Sequence, residues 1–174
     1  MAFARRLIRA LDLSVLGKEE MFSAGETLKR YWLRHGIKLN RGVSEDELAA
    51  FEDVYRVRLP KDLREYFAAV NGFDGSEHWM TDENVITFLA LNEMKPLSEA
   101  WSPKIADAAS YFVFADYSLS AHVYAIQLSN SSGNNPVVVA YDDENLVKVA
   151  SSFSEFVQGY VEDNNAVLFP EPQV

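Results

Sequence analysis

Residues 44–73 read SEDELAAFEDVYRVRLPKDLREYFAAVNGF, and the fold follows from how that stretch is parsed. Leu48, Phe51 and Tyr55 recur at helical spacing, and Leu63, Tyr66, Phe67 and Val70 follow i, i+3, i+4, i+7, the stripe of a helix facing a core. Two short helices are therefore predicted, joined by a corner at Leu59-Pro60. Ser44 and Glu47 have the spacing of a capping box, in which the serine oxygen takes the Glu47 N–H and the carboxylate reaches back. Pro60 suits the first helical position, where its missing N–H costs nothing. Asn71-Gly72 is predicted to close the second helix, because glycine takes a left-handed turn without a Cβ penalty. These signals specify a scaffold and no reaction.

Working outward, the N-terminal side is helical and basic. Residues 1–16 have Phe3, Leu7, Leu11 and Val15 on one helical face, with Arg5, Arg6 and Arg9 nearby. Arg9 and Asp12 interrupt the apolar run that a signal peptide requires. Residues 19–34 read as a further helix stopped by Gly36, and Gly42 opens the loop into the central stretch. On the other side, residues 74–84, DGSEHWMTDEN, read as an acidic loop leading to a buried strand at 85–91. Residues 97–101 form at most one helical turn. Strands are predicted at 111–115 and 122–128, an antiparallel hairpin turning through 116–121. Two more follow at 136–141 and 146–150, with turns at 129–135 and 142–145. Ser152 and Glu155 repeat the capping-box spacing before a helix with an apolar stripe of Phe153, Phe156, Val157 and Tyr160. The fold class is α+β: N-terminal helices packed on a largely antiparallel sheet of about five strands, with a closing C-terminal helix. The expected organisation is a helical extension at 1–29, one domain at 30–169 and a tail at 170–174.

Composition narrows the function classes. The chain has 174 residues, enough for one domain with a sizeable core, and no cysteine, so disulfides and thiolate chemistry are excluded. No apolar run reaches the roughly 20 residues that span a bilayer. Residues 1–43 carry nine Lys/Arg against four Asp/Glu, whereas residues 44–174 carry seven against twenty-two, a net of −15 in a chain whose total is −10. Such a body repels a phosphate backbone and attracts a basic protein. The same acidity also serves solubility.

Motifs for chemistry are missing or weak. His35, His78 and His122 stand alone, without a second ligand at metal spacing. Asp142, Asp143 and Glu144 with Asn145 lack the alternating oxygens and glycine of a calcium loop and read as a hairpin turn. There is no phosphate-cradling glycine loop and no Gly-x-Ser-x-Gly. No cofactor is expected. Glu77-His78 beside Asp82-Glu83 is the one cluster resembling acid–base machinery, and in a polar loop it reads as solvated surface. For binding, the informative pairing is aromatic with acidic, since interface hot spots favour Trp while carboxylates steer a basic partner. Asp74, Glu77, Trp79, Asp82 and Glu83 meet that description in one loop, and Asp142, Asp143 and Glu144 form a second acidic patch. Trp79 and Trp101 stay open between interface and core.

The apolar helix, Leu59-Pro60, Leu63-x-x-Tyr66-Phe67 and Asn71-Gly72 together resemble the core motif of the SUKH superfamily. The resemblance continues through Tyr111 to Tyr117, His122 to Ile126 and Pro136 to Val139, and through the Ala150-Ser151-Ser152-Phe153 helix start, covering about residues 30–163. It implies an α+β domain without catalytic residues. It also implies a protein-binding role: bacterial members are mostly immunity proteins that occlude a toxin, often a nuclease, and fungal members are cell-wall-synthesis regulators. The expectation is a cytoplasmic, non-enzymatic domain that binds a basic toxin, with a regulatory or scaffolding module of several partners as the alternative. Neither nucleic acid nor a membrane span is expected.

Overall fold

The computed structural model describes residues 22–75, 81–100, 104–130, 133–141 and 145–170. The first helix, α1 (Ala24–Arg34), starts where the Ser23 hydroxyl accepts the Glu26 N–H at 3.3 Å. Its buried side, Leu28 and Trp32, rests on the helix of the central stretch and on the C-terminal helix. Gly25 permits the first of these contacts, since a Cβ there would lie 2.6 Å from the Glu65 carbonyl oxygen. Strand β1 (Leu39–Arg41) follows, and then α2 (Glu45–Tyr55), whose capping box is complete: Glu47 N–H donates to Ser44 Oγ, and Ser44 N–H donates to Glu47 at 2.8 Å.

The corner at Leu59-Pro60 has a cause outside the apolar pattern. Glu52, 6% exposed, accepts the Leu59 N–H at 2.8 Å and Arg64 at 2.9 Å on one oxygen, and Arg58 at 3.2 Å on the other. Burial alone would raise its carboxyl, but the Leu59 amide and then the two guanidiniums outweigh it and hold the group below its ordinary range. Pro60 caps α3 (Lys61–Ala69) one position earlier than expected, within the usual uncertainty of helix ends.

Asn71-Gly72 does not close that helix. The chain turns extended at Val70 and runs into β2 (Val70–Phe73), antiparallel to β1. Gly72 has φ +69°, and a Cβ on it would meet the Leu89 carbonyl at 2.6 Å. Asn71 uses its side chain to accept the Leu91 N–H at 2.7 Å. The pair therefore ties a two-stranded sheet to the next segment.

The main sheet is antiparallel and six-stranded. It comprises β3 (Ile86–Phe88), β4 (Lys95–Pro96), β5 (Tyr111–Tyr117), β6 (His122–Gln127), β7 (Val137–Ala140) and β8 (Leu146–Ala150). β3 and β4 share one edge of β5, and β5 to β8 form a meander. Side chains alternate: Tyr124, Ile126, Val137 and Val139 face the helices, while Val123, Ala125, Val138 and Ala140 face the opposite side. Both faces are buried, which is why these strands read as continuous apolar runs. A bulge leaves Phe114 without a register partner, so Phe114 and Ala115 both join the helix-side core.

A short helix α4 (Leu97–Ala100) and the segment around Ala108 cover the second face with Leu97, Ala108 and the half-buried Ile105. The closing helix α5 (Phe153–Val161) has its Ser152 cap, although Glu155 reaches back to the Ser151 N–H and not to Ser152. A last turn, α6 (Asn165–Leu168), lies on α5 and β8. The core between helices and sheet is strongly aromatic. The Trp32 ring stands edge-on to Phe88 at 4.7 Å and to Phe73 at 5.0 Å, while Phe156 packs edge-on to Phe114 at 5.2 Å. Since Ala24 and Leu28 belong to this core, α1 crosses the boundary expected at residues 29 and 30.

Candidate interaction site

The chain enters β3 through a turn at residues 82–85 whose backbone is closely determined. Asp82 is 8% exposed and lies beneath that turn. One carboxylate oxygen accepts the N–H groups of Asn84 and Ile86, each at 2.8 Å. The other accepts the Tyr160 hydroxyl of α5, which itself accepts the Trp32 indole N–H at 2.8 Å. A relay thus runs from α1 through α5 to the loop. Burial raises the Asp82 carboxyl above its ordinary range, against the opposing pull of Tyr160 and the two amides. Burial and the neighbouring Asp82 likewise push the Tyr160 hydroxyl far up. Within the turn, Val85 takes φ +62°, a costly conformation for a β-branched residue, held by its N–H to the Asp82 carbonyl at 3.1 Å.

Sequence reasoning placed Asp82 at the partner surface, and the structure corrects this. The three donors around its carboxylate turn it inward, so it builds the loop's foot. Glu83, its neighbour, points outward at 47% side-chain exposure, accepting the Tyr31 hydroxyl at 3.2 Å with His35 Nε2 3.8 Å away. Asn84 adds a bond to Asp163 at 3.4 Å. Asp74 is half-buried at the end of β2, with its N–H on the Lys38 carbonyl at 2.9 Å. Glu77, Trp79, Asp142, Asp143 and Glu144 lie outside the described residues, as do His78 and Trp101.

The chemistry available to the described residues is limited. No group of three or more His, Asp and Glu side chains among them is placed to hold a metal ion. His122 is buried on the sheet, stacked on Tyr117 at 4.3 Å and within 3.2 Å of the Tyr124 hydroxyl. Burial takes its imidazole down to about 4, with Asp116 pulling the other way. Glu52, which sequence reasoning passed over, serves the corner. No described helix is long and apolar enough to cross a membrane.

A helical layer on one face of an antiparallel sheet, a short helix on the other and buried carboxylates engaged in structural bonds define a small α+β domain. The chain matches the model of the SMI1 / KNR4 family (SUKH-1) over residues 42–159, well over half its length, and it belongs to that family. Domains of this family are protein-interaction modules and are generally not enzymes. No curated protein matched the chain.

Proposed function

We propose that this domain is a cytoplasmic immunity protein that binds and occludes a basic, nuclease-type toxin. The observation that carries the reading is the charge of residues 44–174, net −15, on a SUKH-1 domain. A nuclease holds phosphates with clustered cations, and an acidic surface competes for the same cations. The contact surface comprises Asp74, Glu77, Trp79 and Glu83 on one loop, with Asp142, Asp143 and Glu144 as a second patch. Asp82 supports the first loop from beneath.

Binding to a basic nuclease-type toxin domain tests the reading, and any such domain encoded beside this gene is the first to assay. Charge reversal of Glu77 and Glu83, with Trp79→Ala, should weaken affinity at least about tenfold, about 1.4 kcal/mol. The loss should come largely from faster dissociation at Trp79 and slower association at the carboxylates. Unchanged affinity in a folded triple variant would place the interface elsewhere. Capture of several unrelated proteins in place of one toxin would favour the regulatory reading.

A further inference from the structure

A second surface has the opposite character from the acidic loops. Two depressions meet beside β1. The larger, about 1260 Å³, lies along the end of α1 and the two-stranded sheet, and its wall carries Lys29, Lys38 and Arg41 with Leu33. The smaller, about 390 Å³, is apolar and lies along α2, between Phe51, Val54 and Tyr55 on one side and Leu91 and Met94 on the other. Val43, Glu47 and Asn71 line both, so the two form one trough.

Leu33 and Val54, on its two parts, are 58% and 73% exposed, among the largest apolar exposures of the described residues. Three cations line the charged part against two carboxylates, Glu47 and Asp74. Glu47 is already engaged by the Ser44 N–H and hydroxyl, both at 2.8 Å. All three cations come from the basic residues 1–43, and they leave the charged part of the trough one positive charge in excess beside exposed apolar side chains.

We propose that the trough receives a segment of a partner protein in which Asp or Glu alternates with Leu or Phe. Its carboxylates would sit over Lys29, Lys38 and Arg41, and its apolar side chains over Phe51, Val54 and Met94. Charge complementarity selects this occupant. Residues 1–21 of the chain itself carry four Lys/Arg against three Asp/Glu, the same sign as the trough. The trough meets the acidic loop only at Asp74, and the variants below leave Asp74, Glu77, Trp79 and Glu83 unchanged, so the two proposals are tested apart.

A fluorescein-labelled synthetic peptide of alternating Glu and Leu, followed by fluorescence anisotropy on the full chain, tests this. The Glu–Leu peptide should bind, more weakly as salt rises, while Lys–Leu and Glu–Ser peptides bind at least about tenfold more weakly. Lys38→Glu with Arg41→Glu, and separately Val54→Asp, should each weaken the Glu–Leu peptide by a similar factor. All three side chains are exposed, so thermal unfolding of the variants should match the parent. Equal binding of the Lys–Leu peptide, or variants that leave binding unchanged, would overturn the proposal. So would a dimer in sedimentation that Val54→Asp dissolves, since the trough would then hold a second copy.

Discussion

Asp82 and Glu83 are adjacent carboxylates with opposite tasks, and substitution should separate them. Asp82→Ala leaves two backbone N–H groups and the Tyr160 hydroxyl without an acceptor, which should cost about 2–4 kcal/mol in urea unfolding. Glu83→Ala should stay within about 1 kcal/mol, as exposed ion pairs do. Comparable losses for the two would contradict the assignment. The pH dependence of stability separates Asp82 from His122 by sign. The folded state keeps the Asp82 proton to higher pH than the unfolded chain, so this contribution is full at low pH and fades as pH rises through the folded value. Asp82→Asn should flatten that decline. His122 works in the other direction. The unfolded chain takes up its proton from about pH 6.5 downward, whereas the folded ring resists until about 4, so stability is lost as pH falls through that window. In His122→Phe that acid-side slope should shrink, read as urea midpoints from pH 7 to 4.

At the scale of elements, local rules read well and long-range ones did not. The Ser44 box, the α2 stripe, the α3 stripe as far as Phe67 and the hairpin of β5 and β6 depend on neighbours in sequence, and they stand where the pattern put them, whereas Val70 begins β2. The Ser23-Ala-Gly-Glu26 spacing held the same signal for the start of α1, which was expected several residues earlier. Asn71-Gly72 misled because a glycine with positive φ means a helix end only when nothing presses on it. Here the pressure comes from Leu89, 17 positions away, and no local pattern shows that. Glu52 was hidden for a similar reason, since in sequence it is one more helical carboxylate and only the fold brings Leu59 back onto it. Two substitutions follow from these long-range contacts. Gly72→Ala combines a left-handed φ with a 2.6 Å clash and should cost about 2 kcal/mol or more. Glu52→Gln weakens the link joining Leu59, Arg64 and Arg58 and should cost about 2–3 kcal/mol. In both cases the urea midpoint should fall with the slope unchanged, and a parent-like midpoint would count against the account.

Over the whole molecule, the folded unit is larger than the stretch that defines the family. The match begins at residue 42, yet Leu28 and Trp32 from α1 are fully buried in the same core. A chain beginning at Gly42 should therefore lack a cooperative thermal transition by circular dichroism, whereas one beginning at Phe22 should keep it. Charge is uneven at the same scale, with Lys29, Lys38 and Arg41 lining the trough of a chain whose net charge is −10. Acidic composition was legible in the sequence, but the orientation of a single carboxylate was not, and that is why Asp82 moved from interface to scaffold. The most direct test of the central claim is growth of cells that express the nuclease-type toxin found to bind this chain together with the chain itself. The wild-type protein should restore growth, and the triple variant at Glu77, Trp79 and Glu83 should restore it less while folding equally well. Failure of the folded wild-type protein to restore growth would contradict the claim.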